Sequence, residues 1–283
     1  MSNAHFKQKS LVLAKQIYPE LEGEALISEA ERIFVYLSSN AYQNFVGYSM
    51  VSDDIVSFAS MLFLQDNSAG KSVPLILRDY QIDALEKITD GHDHILLHGR
   101  NMGVSLMLRI YALWTACFRN SVNMGYVVIH KEKARQTIRE IIALHASCAF
   151  CGVRISNYTS SSITFDNGNK IHFIGPSTYV VGHSLTHVVA DDAANISYSD
   201  DDNFYSTILF ANTGPMIAAS VPANNMGIFH ELTLSSILST TTHKLPYSLH
   251  PDYSEGWEKH VRLELGDETY ENQYNCKFRD VRN

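Results

Sequence analysis

The chain has 283 residues, 45% hydrophobic and 18% charged, enough to bury a full core and to build one large α/β domain with a helical appendage. Its formal net charge of -8 argues against a broadly basic nucleic-acid coat, though not against a local basic face. No apolar run approaches the roughly 18 to 20 residues of a membrane span, the N-terminus has no secretory apolar stretch, and four cysteines make no disulfide framework at this length, so a reducing cytosol is the expected setting.

In residues 1–70, Leu11 to Ile17, Glu24 to Leu37 and Ile55 to Leu64 each space apolar residues by three and four, which predicts a helical N-terminal region. Asp66-Asn-Ser-Ala-Gly-Lys-Ser72 breaks the pattern and reads as a connector, with an α/β core expected over 71–283. Leu77-Arg-Asp-Tyr-Gln81 comes next, ahead of a helix through Ala84 to Ile88. Gln81 can present its amide to the donor and acceptor edge of adenine, and Tyr80 offers a stacking ring. A helix start with an ordinary aromatic staple accounts for the same five residues.

Ile95 to Leu97, then Gly99 and Gly103, then the amphipathic run Leu106 to Phe118 give the strand, glycine turn and helix of a phosphate-binding loop. Such a loop points successive backbone N–H groups and a helix N-terminus at one spot. Ser105 is placed to reach a magnesium ion, but Val104 stands where the lysine of the loop belongs.

Downstream, strands at Gly125 to Ile129, Ser162 to Phe165, Lys170 to Ile174, Leu185 to Ala190 and Pro215 to Ser220 are expected. Helices are expected over Ala134 to Leu144, Phe204 to Phe210 and Gly227 to Leu238. Asp166-Asn-Gly-Asn169 reads as a hairpin turn. The alternation implies a mostly parallel sheet flanked by helices, with its working edge at the carboxyl ends of the strands. Asp191 and Asp192 close an apolar strand at that edge: one carboxylate suits a hydrated magnesium, the other an attacking water.

Taken in order, these segments resemble the ATPase domain of the large terminase subunit, the DNA-packaging motor of tailed bacteriophages and related viruses. Leu77-Arg-Asp-Tyr-Gln81 is similar to its adenine motif, Gly99-Arg-Asn-Met-Gly-Val-Ser105 to its arginine-containing Walker A loop, and Asp191-Asp-Ala-Ala194 to its Walker B strand end. Val128-Ile-His-Lys-Glu-Lys-Ala134, the Asn-Gly hairpin at 163–171, Val181-Gly-His-Ser184, Ala219-Ser-Val-Pro-Ala-Asn224 at the coupling motif, and Tyr270 to Phe278 follow in the family's sequence.

The resemblance implies a P-loop NTPase fold of the RecA or ASCE kind, with ATP and Mg2+ as cofactors. It assigns Tyr80, Gln81, Gly99, Gly103 and Ser105 to nucleotide, Ser105 and Asp191 to the metal, Arg100 to the γ-phosphate, Asp192 to the water, and Ser220 to coupling. It further implies double-stranded DNA as partner, with portal, small terminase subunit or a separate nuclease chain, homo-oligomerisation during packaging, no membrane, and the host cytoplasm.

The departures point the other way. Val104 replaces lysine, Val181 an arginine, Val221 a hydroxyl residue, and Asp192 the usual glutamate, setting its carboxylate back by about 1.5 Å against a tolerance of about 0.5 Å. Losing the loop cation costs about 3 kcal/mol by comparison with other electrostatic stabilisers. Two readings stand: an ATP-linked DNA translocase of weak activity, and a catalytically inactive relative, a pseudoenzyme that binds DNA or a packaging partner. No nuclease domain is expected within the 283 residues.

Two side features complete the reading. His145-Ala-Ser-Cys148-Ala-Phe-Cys151 has no second cysteine or histidine pair downstream and reads as thiols packed as small hydrophobes. Lys131, Lys133, Arg135 and Arg139 suit either a DNA backbone or, with Glu132 and Glu140 among them, a solvated helix face.

Overall fold

The computed structural model describes residues 12, 14–15, 22–28, 30, 51–66, 71–175, 184–196, 200, 202, 204, 211–235 and 238–280. Its centre is an eight-stranded sheet. In chain order the strands are β3 (Asp93–His98), β4 (Asn123–Val127), β5 (Ile155–Tyr158), β6 (Ser162–Phe165), β7 (Lys170–Ile174), β8 (His187–Asp191), β9 (Met216–Ser220) and β10 (Thr240–Leu245). Across the sheet they run β10, β3, β9, β8, β4, β7, β6, β5. The pairs from β10 to β7 are parallel, and only β6 and β5 are antiparallel. The expected α/β class with a mostly parallel sheet is thus what the chain adopts.

The composition of the strands explains their order. Met216–Ser220 is buried at every position and His187–Asp191 at all but the first, as befits central parallel strands covered on both faces. Edge strand Ile155–Tyr158 is mostly exposed. Helix α3 (Val104–Phe118) follows β3 and is buried at all but Ser105, Leu106 and Arg109, because it is packed from several sides. Around it lie α1 (Ile55–Ser60), α2 (Asp79–Lys87) and α4 (Lys131–His145), all feeding one apolar cluster. Beyond β9 come α5 (Ile228–Thr233), α6 (Glu255–Leu265) and α7 (Asp267–Tyr274).

The Asp166–Asn169 turn forms as expected between β6 and β7, and its asparagines have a second job. Asn167 Nδ2 donates to the Ala116 carbonyl at 2.9 Å, and Asn169 Nδ2 donates to Ala116 and Arg119 carbonyls at 2.8 and 2.7 Å. Asn169 Oδ1 also accepts from the Val122 N–H at 2.8 Å. The turn therefore satisfies open carbonyls at the end of α3 and ties that helix to the hairpin.

Near the N-terminal side the expectations need correction. The run Ile55 to Leu64 is not one helix: α1 stops at Ser60 and the chain turns into β1 (Phe63–Asp66). The supposed connector 66–72 runs between two paired strands, since β1 pairs antiparallel with β2 (Lys71–Pro74). Phe63-Leu-Gln-Asp66 shows no alternation of its own and is too short to stand out from a helical window. Residues 51–66 share the main core: Phe58 meets Phe118 edge to face, and Trp114 Nε1 donates to the Val51 carbonyl at 2.8 Å. Strands β5 and β10 had no sequence expectation. The helix expected to run from Gly227 to Leu238 ends at Thr233. Most of Leu11–Ile17, Glu24–Leu37 and Phe204–Phe210 lies outside the described residues, and no described helix is long and apolar enough to cross a membrane.

Candidate functional site

The carboxyl ends of β3, β9 and β8 lie side by side, with Leu97 paired to Ser220 and Ala219 to Asp191. The turn after β3 is built around positions with little room. Asn101 and Gly103 take left-handed backbone, with φ of 59° and 74°. A Cβ on Gly99 would stand 2.6 Å from the Tyr274 carbonyl oxygen, and one on Gly103 would stand 2.5 Å from Gln81 Nε2.

Two N–H groups of the turn are already spent: Gly99 donates to Leu245 O at 2.9 Å and Arg100 to Gln273 O at 2.7 Å. The N–H groups from Asn101 to Ser105 donate to no partner among the described residues. Five consecutive open donors at the start of a fifteen-residue helix are the kind of donor set that suits an anion.

Across from it, Ser105 Oγ donates to Asp191 Oδ1 at 2.9 Å. Asp191 is 3% exposed, and its Oδ2 accepts no hydrogen bond. Burial first, and the neighbouring Asp192 charge second, push its carboxyl above the ordinary range, while Lys133 and the Ser105 bond act against them. Lys133 Nζ lies 3.8 Å from Asp191 Oδ2 and 3.7 Å from Asp192 Oδ2. Asp192 itself takes left-handed backbone, φ 62°, which turns the chain off the strand end. Next to it, His98 is buried, its ring nitrogen 2.8 Å from Gly99 O, and burial holds it below the usual imidazole range.

Set against solved structures, the chain matches the HK97 bacteriophage large terminase with a TM-score of 0.61 at 14% identity, over 80% of this chain and 55% of that one. A variant of the Thermus phage P74-26 large terminase ATPase domain matches at 0.58 and 15% identity, over 72% and 95% respectively. The fold is that of a large terminase ATPase domain. A large terminase from a thermophilic bacteriophage in complex with ATP-gamma-S also matches at 0.58 and 14% identity, over 72% of this chain and 53% of that one. The chain spans about half the length of the whole large terminases it matches. No family model and no curated protein matches it.

Within this terminase fold the sequence-predicted residues fall into two groups. Gly99, Gly103, Ser105, Asp191, Asp192 and Ser220 all lie at one sheet edge, and Ser220 Oγ is buried there with no hydrogen-bond partner. Tyr80 and Gln81 are placed differently from the adenine reading. Tyr80 OH and Gln81 Nε2 both donate to the Met102 carbonyl, at 2.9 and 3.1 Å, while Gln81 Oε1 accepts from the Arg78 N–H at 2.9 Å. Both side chains are buried, and their polar atoms brace the loop.

Arg100 is exposed, with Nε 2.5 Å from Gln273 Oε1. Val104 is 2% exposed and belongs to the core cluster, so its side chain faces the interior. Val181 lies outside the described residues. Two contributors were missed as site residues. Lys133 reads in sequence as one of the helix-face charges, although its place in the first turn of α4, six residues after the end of β4, brings it to the carboxylates. Gln273 carried no signal, because only the docking of α7 on the loop brings it there.

Proposed function

We propose that this chain is a viral DNA-packaging ATPase domain that binds ATP and translocates double-stranded DNA, with Lys133 supplying the positive charge that Val104 does not. The carrying observation is the Ser105–Asp191 hydrogen bond beside five open loop N–H groups. A hydroxyl and a buried carboxylate oxygen without a partner are the donor set of a hydrated magnesium, so the residues fit that ion. Ser105 and Asp191 would hold it, and the ion would shield charge on the phosphates.

The chain's own residues do the rest. The loop N–H groups hold phosphate oxygens, and Lys133 approaches from α4 in place of a loop lysine. Asp192 orients the attacking water and takes its proton. Arg100 reaches the γ-phosphate once it leaves Gln273, since a guanidinium binds phosphate through a planar fork. Tyr80 and Gln81 hold the loop in shape.

A second reading is a non-hydrolysing relative that binds DNA or a packaging partner, since Arg100 is tied to Gln273 and Val104 is turned inward. Calorimetric titration of ATP with magnesium, paired with a phosphate-release assay, separates them. Binding with release that Arg100→Ala abolishes supports the motor; binding without release supports the relative; no binding removes the nucleotide reading altogether.

A further inference from the structure

A second cluster of ligating side chains sits away from the sheet edge, where α3 and α4 end. Cys117 is in the last turn of α3, His145 is the last residue of α4, and Cys151 closes a short 3-10 turn over Ala149–Cys151. One ligand atom from each lies within 4.8 Å of the other two. Cys117 Sγ and Cys151 Sγ are 3.8 Å apart. Two thiolates held at about 2.3 Å on one tetrahedral zinc stand about 3.8 Å apart as well.

The histidine is also prepared for such a role. His145 Nε2 lies 2.9 Å from the Val153 carbonyl oxygen, and a carbonyl partner on one ring nitrogen fixes the tautomer that leaves the other as a lone-pair donor. Cys148 lies between them in the series His145, Cys148, Cys151, with Sγ 3.4 Å from the Leu144 carbonyl. All three of these cysteines are buried and in thiol form. Reading downstream for a second ligand pair misses the site, because the remaining ligand comes from upstream, at the end of the phosphate-loop helix.

We propose that Cys117, His145 and Cys151 hold a zinc ion, while Cys148 Sγ, 3.4 Å from the Leu144 carbonyl, lies outside the three-ligand group. The thiols lose their protons to solvent as the ion binds. The site ties the end of α3 to the end of α4 and to the start of the β5–β6 hairpin. Soft thiolates with one imidazole select zinc over magnesium or calcium, so the site is chemically separate from the Ser105–Asp191 pair.

The test uses tag-free, full-length protein. Plasma mass spectrometry is expected to find about one zinc per chain, falling by roughly tenfold or more in Cys117→Ser and Cys151→Ser, as for loss of a ligand or its supporting shell. Cys276→Ser, a buried thiol against Leu97 O, is expected to keep its metal. Because removing a buried thiol can unfold a domain, the wild-type chain is also stripped and titrated with cobalt(II), where tetrahedral d–d bands and a thiolate charge-transfer band are expected. Absence of those bands overturns the site whatever the zinc content. So does a folded Cys151→Ser chain that keeps its zinc, or a Cys117–Cys151 disulfide in freshly purified protein.

Discussion

Lys133 reaches from the first turn of α4 to within 3.8 Å of Asp191 Oδ2, the oxygen of that carboxylate that accepts no hydrogen bond. Its ammonium is also 3.7 Å from Asp192 Oδ2, so one cation spans both acids of the strand end. With Val104 facing the core, Lys133 is the cation within 4 Å of the pair among the described residues. Lys133→Met is expected to weaken ATP binding roughly 10- to 100-fold, the loss of a charge-assisted contact of about 1.5–3 kcal/mol. Lys133→Arg should retain part of it. Calorimetry on the three chains checks this, and equal affinities would remove Lys133 from the site.

Asp191 carries a stability cost that the proposed metal role would explain. Burial raises its carboxyl above the ordinary range, so the folded chain holds that proton to higher pH than the unfolded chain does. Stability from this group is therefore highest below the unfolded value and falls as pH rises through the folded one. Asp191→Asn is expected to raise the melting temperature at neutral pH by a few degrees, the gain disappearing at low pH, while magnesium-dependent nucleotide binding is lost. A melting curve at two pH values, with a titration at the upper one, decides. A lower melting temperature at neutral pH would mean that the Ser105 bond and Lys133 outweigh burial.

Gly99 has a packing reason to be glycine. Its backbone φ is not in the left-handed region, but a Cβ would sit 2.6 Å from the Tyr274 carbonyl oxygen at the end of α7. Gly99→Ala must push the segment around Tyr274 off the loop, which also strains the Arg100 N–H bond to Gln273 O. The expected cost is about 1–3 kcal/mol, as for other overpacked sites, read as a lower denaturant midpoint. An unchanged midpoint would show that α7 does not dock on the loop as described.

Much of this was legible in the chain because local patterns and global fold agree there. Ile95–Phe118 reads as strand, turn and helix, and the sheet forms with the expected alternation because βαβ units leave few alternatives. Ser105 and Asp191 were paired by role from 86 residues apart, and the structure joins them by a hydrogen bond. What failed was long-range or short. The four-residue strand Phe63–Asp66 lay within a helical window. Gln81 carries an amide suited to adenine, but whether it faces a base or a loop carbonyl depends on tertiary packing. Lys133 looked like one charge among several on a helix, and only the three-dimensional course of α4 singles it out.

Between pH 6.5 and about 4, histidines held neutral should contribute to the chain's acid sensitivity. His187, at the start of β8, has its imidazole lowered to about 4, by burial first and by the Arg119 charge second. Above the ordinary value of 6.5 both folded and unfolded forms are neutral and the group is silent. Between 6.5 and about 4 the unfolded chain binds a proton that the folded chain refuses, so stability falls as pH falls. The full shift corresponds to on the order of 3 kcal/mol, reduced because the ring is only partly buried. His98, His243 and His250 are lowered in the same direction, so the comparison must be between wild type and variant. His187→Gln is expected to flatten the wild-type decline between pH 6.5 and 4.5, measured by urea unfolding at steps of about half a pH unit. Parallel slopes for the two chains would show that the His187 ring titrates freely and that β8 begins in a wetter setting than described.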